Sequence, residues 1–113
     1  MAGNTTKDKR SSAHDSSVLD TARVEKERDV TARALAQVRV VEGLDEKDAQ
    51  RARQFLDMAQ RYYADSGHFL TLGDHIRAFG AAYYAHAWLD AGVIAGILAG
   101  DDPALFMIEK QSI

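Results

Sequence analysis

The segment from Ala78 to Gly100 contains one formally charged side chain, Asp90. Its length would allow a helix to cross a membrane. Its composition opposes that interpretation, because the segment is rich in alanine, glycine and tyrosine rather than leucine and isoleucine. An aspartate near the centre of a membrane helix also costs roughly 2.5 to 3.5 kcal/mol. We therefore predict a central helix that protein buries on several sides, and no membrane partner.

The rest of the chain also favours helix over strand. It has one proline, Pro103, and many alanine, arginine, glutamate and glutamine residues. A length of 113 residues allows one domain with one modest core. Lysine and arginine total 14 against 17 aspartates and glutamates, so the net charge of -3 gives no general attraction to nucleic acid or anionic lipid.

The first helical segment is predicted from about Val18 to Glu42, where apolar residues recur on one face. Charged side chains crowd residues 23–29, so we expect the first half of this helix to be mostly solvated. Gly43 is expected to cap the helix in a left-handed conformation.

The second and third segments are predicted to form a helical hairpin. The second helix is expected to start after Asp45 and to continue through Gly67, because the apolar stripe is unbroken there. The sequence Leu72-Gly73-Asp74 indicates a helix end, a glycine cap and a new N-cap, and the third helix is expected to reach Gly100. Such a short turn makes the two helices antiparallel, and the predicted fold is an all-α, three-helix up-down antiparallel bundle.

The bundle is assigned to residues 18–100, between two tails. Residues 1–17 lack an apolar run, which predicts a disordered tail without a secretory signal. Residues 101–113 include the apolar run Leu105 to Ile108, which is expected to pack on the bundle or, alternatively, to dock on a partner. The chain has no cysteine, which removes thiolate metal sites and favours the cytoplasm.

The segment from Tyr84 to Gly92, YAHAWLDAG, resembles a family pattern when it follows Gly73-Asp74 and the YYADS sequence of Tyr62 to Ser66. The pattern is that of the archaeal family known as domain of unknown function 357, and the resemblance covers roughly Leu44 to Leu98. It implies a three-helix up-down bundle in a cytoplasmic archaeal protein. It implies no activity, cofactor or metal.

The periodicity divides the third helix into three rows. The row with Ile76, Tyr83 and His86 is expected to be core, and the adjacent row with Gly80 and Tyr84 is expected to pack in the hairpin. The third row consists of small residues around one large side chain: Ala81, Ala85, Trp88, Gly92 and Ala95. Small residues admit a second backbone closely, and a first helix charged over half its length would cover only part of this row. We therefore predict an interaction surface here, with self-association into a homodimer through the third helix.

His86 and Asp90 are four residues apart on one helical face, so their side chains can form a hydrogen bond. They could act as a general base with its orienting carboxylate, or as two metal ligands. The interpretation we favour is a buried pair that satisfies its own hydrogen bonds, with the Tyr63 hydroxyl as a further partner. A metal site needs further ligands, and none is expected nearby.

Two weaker patterns suggest chemistry on RNA. Arg61 and His68 have a spacing similar to that of the HEPN ribonuclease motif, although chance produces such spacings easily. A small stacking and phosphate-binding patch is the second pattern, formed by Arg51, Arg53, Arg61, Arg77, Tyr62 and Tyr84. Aspartates interspersed among these arginines favour an ordinary solvated face instead.

The sequence therefore predicts a non-enzymatic module for protein interaction or self-association. The alternatives are a hydrolase or ribonuclease that uses His86 with Asp90 or Arg61 with His68, and a weak RNA-binding adaptor.

Overall fold

The computed structural model describes residues 18–106, so the predicted disordered tail of residues 1–17 lies outside the described residues. The elements follow one another along the chain as α1 (Thr21–Gln37), β1 (Arg39–Val40), α2 (Glu46–Thr71), α3 (His75–Ile94) and β2 (Leu98–Ala99). β1 and β2 form a two-stranded antiparallel ribbon. The predicted all-α class is confirmed, and the ribbon is an extended addition that the sequence did not indicate.

α1 ends at Gln37, so the predicted end near Glu42 is wrong. The backbone becomes extended at Val38, and Val40 pairs with Leu98 of β2. Valine side chains favour an extended backbone where a partner strand is available. The long-range pairing therefore overrides a helical periodicity that continues past the true end of the helix.

The predicted hairpin of the second and third helices is confirmed. α2 begins after Asp45, whose side chain accepts a hydrogen bond from a backbone amide at 2.8 Å, and it continues through Gly67. Gly73 adopts a φ of 78°, a conformation that L side chains rarely adopt. Asp74 then caps α3 by accepting a backbone amide of its first turn at 3.0 Å.

α3 ends at Ile94, and the predicted continuation to Gly100 is wrong. Gly96, with a φ of 78°, turns the chain out of the helix and towards β2. Gly43, with a φ of 83°, lies in the turn before α2 and does not cap α1 as predicted. Across residues 18–106, no helix has both the length and the apolar character needed to cross a membrane.

Alanine dominates the contacts between the helices. α2 and α3 pack along their length, and α1 packs mainly against α3. Fully buried alanines come from all three helices: Ala34, Ala52, Ala59, Ala78, Ala82 and Ala85. Such small side chains let helix axes approach to roughly 8 Å. Leu89 of α3 and Leu98 of β2 are the largest fully buried side chains.

The segment after β2 completes the core. Leu105 and Phe106 are each 3% exposed and belong to the same buried cluster as Leu89. The Phe106 ring lies directly against the backbone of Gly100. Residues 107–113, which form the remainder of the predicted tail, lie outside the described residues.

Candidate functional site

A cleft of about 320 Å³ lies between α1 and α3. We call it the acidic cleft, and its lining residues are Glu27, Val30, Tyr83, His86, Ala87 and Asp90. It contains the predicted pair, with His86 Nε2 at 3.9 Å from an oxygen of Asp90. The two side chains are only 13% and 24% exposed.

The two ring nitrogens of His86 both face polar groups of the protein. Nε2 donates a hydrogen bond to the backbone carbonyl of Leu105. Nδ1 lies 3.3 Å from the Thr31 hydroxyl oxygen, and the Thr31 hydroxyl donates to the Ala82 carbonyl at 3.3 Å. Thr31 thus takes the place predicted for Tyr63. A general base needs a nitrogen free to accept a proton from substrate, so this geometry favours a structural role.

Glu27 is the lining residue that the sequence did not single out. It was expected in the solvated half of α1, but its side chain is partly buried beside His86. Burial raises the pKa of the Glu27 carboxyl above its ordinary value of 4.5, and the charge of His86 opposes that rise. Glu27 lies four residues before Thr31, which is fully buried, and this spacing is the signal that could have placed the Glu27 side chain on the inward face of α1.

A second cleft of about 330 Å³ lies between α2 and α3. We call it the aromatic cleft, and its lining residues are Gln54, Phe55, Asp57, Met58, Arg61 and Trp88. The Trp88 and Phe55 rings meet edge to face, with centroids 5.0 Å apart. The Trp88 indole nitrogen is inaccessible and has no acceptor among residues 18–106. Trp88 is therefore covered by α2 of its own chain.

The structure does not bring Arg61 and His68 into one site. Both are exposed on α2, and Arg61 forms an ion pair with Asp57 at 2.9 Å. Seven residues of helix separate them by roughly 10 Å along the axis. Arg61 borders the aromatic cleft, whereas His68 does not line it.

The arginines of the predicted RNA patch each have an acidic neighbour. Arg51 pairs with Asp48 at 3.7 Å, and Arg77 pairs with Asp74 at 3.6 Å. Arg53 pairs with Glu46 in the same manner, at 3.5 Å. Local neutralisation of this kind weakens attraction to phosphates, which supports the solvated-face interpretation.

The predicted row of small residues is largely closed by the chain itself, and this corrects the expectation of an open surface there. Ala85 is fully buried, and Gly92 is buried beneath the side chain of Leu98. Ala81 and Trp88 are only partly exposed, and Ala95, the C-cap of α3, is the one member of the row that is exposed. The small residues are where neighbouring elements of the same chain approach α3 most closely.

A different face of α3 is open. Its members lie within about a third of the helix circumference at 100° per residue. We call this surface the outer face, and it comprises Ile76, Gly80, Tyr83, Tyr84, Ala87, Ala91 and Ile94. All seven are uncharged, and Ile76 and Tyr83, which were expected in the core, are 78% and 61% exposed.

The described residues thus form a small helical bundle with an open apolar helix face and two flanking clefts. Within residues 18–106, no group of three or more histidine, cysteine, aspartate or glutamate side chains could hold a metal ion. The class of protein that the fold defines is a small all-helical bundle.

Comparison with known proteins identifies the family. The model of the family described as protein of unknown function DUF357 matches residues 28–98, and the chain belongs to that family. The predicted resemblance is therefore confirmed. A crystal structure of a DUF357 protein from Archaeoglobus fulgidus is 28% identical, covers 69% of this chain and 97% of that one, and superposes with a TM-score of 0.45. Comparison with curated proteins gave no match.

Proposed function

We propose that this protein is a non-enzymatic interaction module that contacts a protein partner through the outer face of α3. The family assignment carries no activity with it. The proposal therefore depends on surface chemistry. We further propose that it acts in the cytoplasm, in keeping with a chain that contains no cysteine.

The observation that carries this proposal is the exposure of four large apolar side chains on one helix. Ile76 and Ile94 are 78% and 70% exposed, and Tyr83 and Tyr84 are 61% and 51% exposed. The largest apolar patch on the surface of a monomer is often a functional one. The centres of protein interfaces are rich in tyrosine and poor in charge, and the outer face shares both properties.

The acidic cleft supports a binding role over a catalytic one. His86 is the side chain there best suited to acid-base chemistry, and its two nitrogens are directed at Thr31 and Leu105. These contacts hold α1, α3 and the segment after β2 together. The cleft opens beside Tyr83 and Ala87, so it extends the outer face with a polar margin.

Site-directed photo-crosslinking in the native cell tests the proposal. A benzophenone amino acid placed at Tyr84 should give a discrete adduct with one protein, identified by mass spectrometry. The same group at Gln60, an exposed position of α2, is the control and should give none.

A charge on the outer face provides the second arm of this test. Ala87→Glu should abolish the Tyr84 adduct, because it inserts a carboxylate into an apolar contact. Ala64→Glu makes the same change at an exposed position of α2 and should leave the adduct intact. Equal adducts from Tyr84 and Gln60, or a Tyr84 adduct that survives Ala87→Glu, would contradict the proposed function.

A further inference from the structure

We infer that the partner is a second copy of this chain, whose α3 packs antiparallel on the outer face of the first copy, with the two-fold axis level with position 85 along the helix. The inference rests on the proposed function and names its partner.

The first support for a second copy as the partner is the charge of the outer face. The outer face carries no ionised group, so two copies can approach without repulsion at the contact. In the antiparallel pair the two Asp90 carboxylates lie roughly 15 Å apart along the helix axis, beyond one Debye length.

The order of large and small residues selects the antiparallel orientation. When the two helices run in opposite directions and are aligned at position 85, Tyr83 of one copy lies opposite Ala87 of the other. A large side chain then faces a small one. It also places Ile76 opposite Ile94, and Gly80 beside Ala91. A two-fold interface uses the same patch twice, and these contacts match when the sequence is reversed, while the two Tyr84 rings meet beside the two-fold axis.

Parallel packing of the same face fits poorly. It would place Tyr83 against Tyr83 and Ala87 against Ala87. In that register small residues face small residues, and the voids beside them lower stability relative to matched packing.

Small residues also permit the close approach that helix pairing needs. A side-chain atom added to Gly80 would have no heavy atom within 4 Å, so the space above it is open. At 100° per residue, Gly80, Ala87 and Ala91 form a low centre line along the outer face, with Tyr83 and Tyr84 on its two margins and Ile76 and Ile94 at its ends. Helices with such a profile approach to an interaxial distance of roughly 8 Å.

The small area of the outer face limits how tightly two copies can bind. Its four large side chains can bury on the order of 500 Å² per copy, or about 1,000 Å² in total, near the lower limit for a specific interface. We therefore expect a reversible dimer with a dissociation constant in the micromolar range.

Sedimentation equilibrium of the purified full chain measures this association. The average mass should rise from monomer to dimer across the micromolar range for the unchanged chain and for Ala64→Glu. Ala87→Glu should stay monomeric at every concentration, because each dimer would bring two added carboxylates close to the two-fold axis. A constant monomer mass for the unchanged chain would overturn the inference.

Engineered cysteines test the orientation, and the absence of native cysteine makes the result unambiguous. An equimolar mixture of Ile76→Cys and Ile94→Cys chains should form a mixed disulfide under mild oxidation, because these positions face each other in the antiparallel pair. Each variant alone should remain reduced, since like positions lie roughly 27 Å apart along the axis. Disulfides within each variant alone would show parallel packing and overturn the antiparallel pair.

The two experiments separate the inference from the proposed function on which it rests. A monomer in sedimentation with a Tyr84 adduct to a different protein would reject the second copy and retain the interaction module. A monomer with no Tyr84 adduct would reject both. A dimer whose Tyr84 adduct has the mass of two chains is the result we expect.

Discussion

The imidazole of His86 joins three segments that are distant in sequence. It reaches Thr31 on α1 and the carbonyl of Leu105 after β2, while its own backbone belongs to α3. A buried polar group stabilises a fold when its hydrogen bonds are satisfied and costs free energy when they are not. His86 therefore contributes to the correct relative placement of these segments, and Asp90 at 3.9 Å has a weaker electrostatic role.

The ionised Glu27 carboxylate lowers the stability of the fold at neutral pH. Burial raises the pKa of the Glu27 carboxyl above 4.5, with an opposing contribution from His86, so the folded chain holds the proton more tightly than the unfolded chain does. When the pH is below the pKa that Glu27 has in the unfolded chain, the carboxyl is protonated in both states and costs no stability. As the pH rises from there through the higher pKa of the folded chain, the free energy of unfolding falls. Glu27→Gln should therefore stabilise the fold at neutral pH, by less than about 1 kcal/mol because the site is partly solvated.

Thermal unfolding at neutral pH and at about pH 4 measures this effect, since the gain should disappear on acidification. Glu25→Gln, at an exposed position of the same helix, is the matched control and should change neither melting temperature. A gain that grows on acidification would show that burial does not govern the Glu27 carboxyl.

At the scale of elements, the carboxyl-terminal end of α3 is determined by what packs on it. The helix stops at Ile94, the chain turns at Gly96, and Leu98 returns to lie over Gly92. Gly92 and Gly80 are thus two helical glycines with opposite surroundings. Gly92 is covered by a buried leucine, whereas Gly80 faces open space.

These surroundings predict opposite effects of the same substitution. Gly92→Ala should destabilise by about 1 to 3 kcal/mol, because the new methyl group would overlap the Leu98 side chain. Gly80→Ala should stabilise the monomer by about 0.5 to 1 kcal/mol, because alanine favours helix and meets no neighbour. Urea unfolding at submicromolar concentration measures both. Similar values for the two variants would mean that Leu98 does not cover Gly92.

At the scale of the whole molecule, the segment after β2 acts as the last layer of the core. Leu105 and Phe106 are buried with Leu89, although they follow the last regular element. Without this segment, the apolar surface around Leu89, Leu98 and Gly100 would be uncovered. Stability is therefore shared between the helices and a short irregular segment.

Phe106→Ala should lower the free energy of unfolding by about 3 kcal/mol, since it removes a ring that is 3% exposed. Pro103→Ala changes an exposed position of the same segment and should stay within about 0.5 kcal/mol of the unchanged chain. Chemical denaturation monitored by circular dichroism gives both values. Equal stability of the two variants would show that this segment does not close the core.

Local signals in the sequence predicted the parts of the fold that local chemistry determines. The caps at Asp45 and Asp74 and the turn at Gly73 each depend on a few adjacent residues, and each lies where it was predicted. The ends of α1 and α3 were wrong, because both depend on pairing between β1 and β2, which are distant in sequence.

The open face of α3 was also misplaced, for a physical reason. Periodicity separates a helix into rows but does not tell which row a neighbour covers. Ala85 and Gly92 were expected to be open because small side chains leave room for a partner. In the structure, other elements of the same chain fill that room. Tyr83 was expected in the core because it is large and apolar, yet it is 61% exposed. The predicted use of α3 for association stays a proposal, now moved to a neighbouring face.

The ribbon has a consequence for how the chain is made. β1 pairs with β2, and α1 packs mainly on α3, so each early element depends on a partner that is synthesised much later. α2 and α3 are adjacent and bury each other as soon as both have left the ribosome. Until α3 is made, α1 lacks most of its contacts, and its buried residues, Val24 and Ala34 among them, are not yet fully covered. During synthesis α1 therefore depends on later segments for its burial, and until they are made it is open to proteases and to premature aggregation.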